Sequence, residues 1–169
     1  MLHPSRRDNP KNVAYVRKEL RTVLPQYDII DDAVAGSVRV KSKKDKYLPR
    51  PNAHDVSDEN NARYNAYITR AVFYNVTGRT LEGFMGELFA KDTVITVPPA
   101  LDAVVEDANG EGVGLEQLAK SACRAVLSKG RGGLFVDYPN TGGQQTAEQK
   151  EVNGYRPVIQ FYESRNNLS

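Results

Sequence analysis

The sequence predicts an α+β fold, mostly helical, with a small antiparallel sheet or hairpin near the C-terminus. Three observations carry that prediction. Apolar residues recur at steps of three and four in four separate stretches, within residues 13–24, 64–74, 81–89 and 115–126. Strand-type patterning is confined to a few short runs. Clusters of Asn, Asp, Gly and Pro punctuate the chain between these segments. At 169 residues, with 40% hydrophobic and 26% charged side chains, the chain suits one domain-sized core of ordinary soluble composition. Its organisation divides into an N-terminal helix with a basic, irregular connection over residues 1–56 and a helix-rich segment with C-terminal strands over residues 57–169.

Taken in order, "NPKNVAYVRKELRTVLPQYD" opens on turn residues and sets Val13, Val16, Leu20, Val23 and Leu24 at helical spacing, until Pro25 is expected to stop the run. "YDIIDDAVAG" reads as a second short helix ended by Gly36. The basic stretch that follows and the rigid "YLPRPN" form a long connection with little regular structure. Ser57 is a fitting N-cap, with Asp58 and Glu59 in the first turn against the helix dipole. Tyr64, Tyr67, Ile68, Ala71 and Tyr74 then follow on one face. Gly78 is expected to break this helix, and Leu81, Phe84, Met85, Leu88 and Phe89 restart it with an apolar stripe, so that the two helices pack together.

"DTVITVPP" reads as a brief strand, and Pro98 or Pro99 suits the first turn of a helix carrying Leu101, Val104 and Val105. Beyond a turn, "LEQLAKSACRAVLSKG" places Leu115, Leu118, Ala119, Ala122, Ala125 and Val126 on one side, with Lys129 near the end that favours cations and Gly130 as the stop. "GLFVDYP" and "YRPVIQFYES" read as two strands joined by the long polar loop "PNTGGQQTAEQKEVNG".

Two motifs invite a chemical reading. "DANGEGVGLEQL" supplies oxygen ligands at the first, third and fifth positions of a calcium loop, Asp107, Asn109 and Glu111, and the glycine at the sixth, Gly112. The twelfth position, which must be a bidentate glutamate, is Leu118, so the stretch is read as a helix-to-helix turn. "GRGG" lies beside an apolar strand, yet phosphate-binding loops follow the strand and lead into a helix with a lysine at fixed spacing; here the glycines precede the strand. His3, His54 and the single cysteine, Cys123, are too scattered for a zinc site. Cys123 has no histidine near in sequence to activate it and sits at the edge of an apolar face, as a packing residue does. Asp102, Glu106 and Asp107 are the nearest approach to a carboxylate group and read as a solvated helix end. No catalytic residues, cofactor or metal are therefore expected. An enzyme would have to show activity that Asp107→Ala or Cys123→Ala removes.

Charge is unevenly distributed. Residues 1–50 hold 12 Lys and Arg against 6 Asp and Glu, a net +6, whereas the other 119 hold 11 against 15, a net −4. Much of the excess lies in "RVKSKKDKYLPRP". Lys41, Lys43, Lys44, Lys46 and Arg50 are thus candidate contacts for phosphates or an acidic surface, along with Arg39. The segment lacks the aromatic interleaving of single-strand binders, and a solvated loop is the plain alternative. No apolar run reaches the ~20 residues that span a bilayer, and "MLHPSRRDNPKN" lacks the apolar centre of a signal peptide.

The stretches "KYLPRPN", "YNAYITRAVFYNVTGRTLEGFMGELFAKD", "VPPALDAVVEDANGEGVGLEQLAKSACRAVLSKGRGGLFVDYP" and "RPVIQFYES" together resemble the N-terminal part of tailed-phage portal proteins, in a divergent portal-like branch. The resemblance runs from Tyr47 to Tyr162. It implies a structural, non-enzymatic part of the virion, assembled in the bacterial host cytoplasm, with no membrane partner. Portal proteins form a ring, usually of twelve subunits, at one capsid vertex, where a terminase motor pumps DNA in and the DNA later leaves towards the tail. The partners implied are further copies of the chain, capsid protein and terminase, with DNA in addition. Portal proteins run to several hundred residues, so residues 57–169 would correspond to the outer, wing-like part of a subunit and the chain to a fragment or a decayed prophage copy. On this reading Tyr64, Tyr67, Tyr74 and Arg70 are candidate subunit or partner contacts. The alternative is an autonomous nucleic-acid-binding module that uses the basic 39–50 segment.

Overall fold

A computed structural model describes residues 15–138, 146 and 155–165. Val13, His3 and most of the polar loop 139–154 expected to join the two strands lie outside the described residues. The architecture is mostly helical, with a two-stranded antiparallel sheet near the C-terminus, the α+β arrangement that the sequence predicts. The helices are α1 (Lys18–Val34), α2 (Ser37–Ser42), α3 (Asp58–Arg70), α4 (Val76–Leu88), α5 (Asp102–Glu106) and α6 (Leu115–Lys129), and the strands are β1 (Gly133–Asp137) and β2 (Val158–Tyr162). Short 3-10 turns cover Lys44–Lys46 and Pro99–Leu101. The chain divides into two compact units, Thr22–Phe84 and a second made of the described parts of Met1–Arg21 and Met85–Ser169. A cut after residue 56 does not match this division, because the basic connection folds together with the tyrosine-bearing helix that follows it.

In the first unit the expected stop at Pro25 does not occur. α1 runs through it as one helix of 17 residues. Proline removes one N–H and crowds the preceding turn, but beyond it Tyr27 and Asp32 are buried at 8% and 2% exposure, and this tertiary anchoring overrides the local signal. The basic segment is also more ordered than expected: Val40, buried at 8%, pins the short α2, and the 3-10 turn continues from it. Gly36 joins α1 to α2 with φ of 83°, and a Cβ there would lie 3.2 Å from the Asn75 amide nitrogen.

α3 starts as predicted, with Ser57 Oγ accepting from the Asn60 N–H at 3.2 Å. It ends at Arg70, so Ala71 and Tyr74 lie in the non-helical connection after it, and the break falls at residues 71–75 rather than at Gly78. Asn75 explains the shift. Its Oδ1 accepts from the Gly78 N–H at 2.8 Å, capping α4, while its Nδ2 donates to the Val34 carbonyl at 3.3 Å. A Cβ on Gly78 would sit 2.5 Å from that same Nδ2, so the glycine permits the cap and does not terminate a helix. α3 and α4 do not form the packed pair expected. Leu81 is buried at 6%, but Phe84 and Leu88 of the same stripe are 57% and 59% exposed.

The second unit is organised by an apolar cluster of Val104, Ala108 and Leu118, against which Val113, Leu115, Ile159 and Phe161 pack. α6 carries Leu118 and Ala125 inward, while Val126, assigned to the same side, is half exposed. Gly130 closes the helix in the left-handed conformation, its N–H donating to the Val126 carbonyl at 2.8 Å. β1 and β2 pair from Gly133 opposite Tyr162 to Asp137 opposite Val158. "DTVITVPP" forms no strand among the described residues, and only Pro98 within it is placed in the extended region, ahead of the 3-10 turn. Its branched residues favour the conformation, yet Pro98 and Pro99 carry no N–H to offer a ladder.

Candidate functional site

Asp32 lies near the C-terminal end of α1, 3% exposed in its side chain, where an unpaired carboxylate would be costly. The basic segment supplies its partners. Arg39 Nε donates to Oδ1 at 2.9 Å, Lys46 Nζ to Oδ2 at 2.8 Å and Tyr47 OH to Oδ2 at 2.7 Å, and Lys43 Nζ stands 3.9 Å from Oδ1. The Lys46 and Tyr47 hydrogen bonds hold the Asp32 carboxyl well below the usual carboxylate range against the opposing effect of burial, with Arg39 and Lys43 adding to it. Reciprocally, Asp32 pushes the Lys46 ammonium up. The segment wraps a buried carboxylate, so its conformation and its charge have one cause.

The remaining candidate cations are placed individually. Lys41 Nζ donates to the Thr69 carbonyl at 2.8 Å. Arg50 Nη1 donates to Asn61 Oδ1 at 2.6 Å, and its guanidinium lies 4.6 Å from the centre of the Tyr64 ring. Lys44 is exposed, with an unusual φ of 43°. The run is therefore not a free loop: Arg39, Lys43 and Lys46 meet on Asp32, and Lys41 and Arg50 reach α3.

The tyrosines separate in the same way. Tyr64 is 3% exposed, with its hydroxyl 2.8 Å from the Leu48 carbonyl and 3.1 Å from Asp45 Oδ1, and burial followed by the Asp45 hydrogen bond pushes it up. Covered by the chain's own residues 45–50, it is an internal anchor, which corrects its assignment as a partner contact. Tyr67 is partly exposed, its ring 6.3 Å from that of Tyr64. Tyr74 is 71% exposed beneath Arg79, and Arg70 is exposed at the end of α3. Of the candidate cations, Arg50 meets this set, over the Tyr64 ring. Beside the cluster, an open and largely apolar cleft of about 380 Å³ is lined by Ile29, Ala33, Val40, Leu48, Val72 and Phe73 among others.

The loop after α5 turns a corner by internal satisfaction. Asp107 Oδ1 accepts from the Gly110 and Gly112 N–H groups, each at 2.9 Å, and Asn109 Oδ1 from those of Glu111 at 2.9 Å and Val113 at 3.0 Å. Arg156 closes the arrangement from the chain before β2, bonding both the Asp107 carboxylate and its backbone carbonyl. Burial raises the Asp107 proton affinity, but the Gly112 amide, Arg156 and the other loop amides outweigh it and hold the carboxyl below its ordinary value. Asp102 and Glu106 stay exposed. Among the described residues no group of three or more His, Cys, Asp and Glu side chains is arranged to hold a metal ion, and no helix is long and apolar enough to cross a membrane.

Sequence reasoning missed Asp32, Tyr47, Asn75 and Arg156. The available signal for Asp32 was a carboxylate among apolar residues seven positions before the first of six clustered cations. No family model matches the chain, and no curated protein matches it.

Proposed function

We propose that this chain is the N-terminal, wing-like segment of a portal-type ring protein, a structural part of a tailed-phage head that assembles at the capsid vertex through which DNA is packaged and ejected. The supporting observation is the balance of apolar side chains. Among the described residues nine hydrophobic side chains are buried, whereas eighteen large ones are exposed. Several are consecutive or share a face: Leu134, Phe135 and Val136 along β1 at 53–64% exposure, and Phe84 with Leu88 on α4. A module of this kind suits a subunit whose remaining faces are covered by neighbours. The portal-like order of its motifs supplies the kind of neighbour: further copies of the chain, capsid protein and terminase. A free polybasic tether for nucleic acid draws less support, since most of the cations of the 39–50 segment are tied to Asp32 and α3.

The test is the mass of the purified chain in solution by light scattering over a concentration series, at low and high salt. A multi-subunit species that survives high salt is expected, because apolar burial is not screened. A monomer at every concentration, unchanged when capsid protein is added, would overturn the proposal.

A further inference from the structure

We infer that the Asp32-centred cluster is a preorganised oxyanion subsite for a phosphate group, with Arg39 as principal contact and Lys43 and Lys46 beside it. The inference goes beyond the portal reading and does not depend on it. Charge balance is the first argument. One carboxylate faces three cations, each within 3.9 Å of it, so these four groups carry a net charge of +2, which a phosphate dianion offsets. Asp45, the acidic residue within the same segment, is turned to the Tyr64 hydroxyl.

Geometry is the second. Arg39 engages Asp32 through Nε alone, which fixes the plane of the guanidinium and leaves both terminal nitrogens without a partner among the described residues, on a side chain 54% exposed. A guanidinium presents its donors as a rigid fork that matches two phosphate oxygens. Here the cost of orienting it is already met by the fold. Lys46 is held in place by Asp32 and lies 4.7 Å from the centre of the Tyr47 ring; its ammonium has three donors, of which Asp32 takes one and the neighbouring Tyr47 hydroxyl draws on another. Lys43 and Lys46 keep 37% and 40% of their side-chain surface exposed. The buried carboxylate thus acts as a positioning residue that gathers mutually repelling cations and leaves their outer donors facing solvent. A tetrahedral oxyanion uses more of those donors than a planar carboxylate does.

The experiment titrates the full chain with sodium tripolyphosphate by calorimetry and, separately, with a short labelled DNA duplex by anisotropy, each at low and raised salt. Tripolyphosphate should bind at low salt. Arg39→Gln should weaken it roughly 10- to 100-fold, the range for a lost charged hydrogen bond, and Arg39→Lys, which keeps the charge and loses the fork, should fall between. Lys43→Gln removes a cation at the edge of the cluster and decides the matter should Arg39→Gln fail to fold, as read by circular dichroism. If duplex affinity falls in parallel, the source of the phosphate is a nucleic-acid backbone; if the duplex does not bind while tripolyphosphate does, it is a free phosphate compound. Absence of tripolyphosphate binding at low salt, or equal binding by wild type and the folded variants, overturns the inference.

Discussion

The two compact units are held together by opposite means. The unit spanning 22–84 is organised around polar hubs: Asp32 gathers the basic segment, Tyr64 receives residues 45–50, and Asn75 ties the end of α1 to the start of α4. The other is organised around apolar contact between α5, α6 and β2, with Asp107 and Arg156 trimming its loop. A carboxylate or amide that bonds several segments fixes their relative placement directionally. An apolar cluster stabilises by area removed from water and tolerates repacking. The first unit should therefore be brittle towards single polar substitutions and towards acid, the second towards loss of side-chain volume.

Asp32→Ala should have the largest effect. It leaves three cations converging on a site with no counter-charge, and native-state hydrogen exchange should show loss of protection across α2 and the adjoining turn while α6 keeps its own. Equal loss in both regions would erase the comparison. Leu118→Ala, 4% exposed in the other unit, should cost about 2–5 kcal/mol as a cavity-forming change, measured by denaturant unfolding, with the protection pattern reversed.

Acid sharpens the same contrast. Asp32 and Asp107 both titrate below the ordinary carboxylate range in the folded chain. A carboxylate depressed on folding contributes stability that is present above its unfolded value, about 3.9 for Asp, and lost as pH falls below it towards the folded value. Asp32 is the more strongly depressed, so protection of the 22–84 unit should fall away more steeply below about pH 4. Asp32→Asn should flatten that loss in the first unit, and Asp107→Asn in the second; a profile unchanged by either would show that other groups drive acid unfolding.

How much of this was legible in sequence follows the same divide. Apolar elements were readable because their signal is periodic: α6 with its Gly130 stop, Ser57 at the start of α3, and the C-terminal strand pair lie where the spacing puts them. Polar hubs carry no period. Pro25 predicts the end of a helix that the burial of Tyr27 and Asp32 continues, and Gly78 reads as a breaker because nothing local announces that Asn75 occupies the space above it. The cations at 39–50 are visible as charge, but the carboxylate that organises them lies in a neighbouring helix, and although its place among apolar residues is a signal, a linear reading does not say which of the acidic residues of α1 the cations will meet. Tyr64 and Tyr67 shared one helical face in the sequence; only the fold reveals that residues 45–50 cover one and leave the other partly open.

Asn75 offers a smaller test. Removing its side chain by Asn75→Ala should cost about 1 kcal/mol, as loss of an N-cap does, and should also free the Val34 carbonyl at the end of α1. Gly78→Ala probes the same junction from the other side, since the added Cβ must displace the Asn75 amide. If Asn75 acts as one joint, the double variant should cost less than the two single changes added together, because once the side chain is gone there is nothing for the Cβ to meet. Simple additivity, measured in a double-mutant cycle, would mean that the cap and the glycine act separately and that this hub is local.

The smallest stability effect should come from the exposed apolar stripe. Phe84→Ser and Leu88→Ser replace side chains more than half exposed, and away from special features such changes stay within about 0.5 kcal/mol. A surface residue that costs little to replace in the isolated chain can still be decisive in an assembly, where truncating a buried aromatic anchor often costs more than 2 kcal/mol. The pair therefore separates folding from association in one experiment. Unfolding curves should coincide with wild type while the mass measured by light scattering falls. If stability drops instead and mass does not, the stripe belongs to the interior of the folded chain, and the surplus of exposed apolar surface would no longer speak for neighbours.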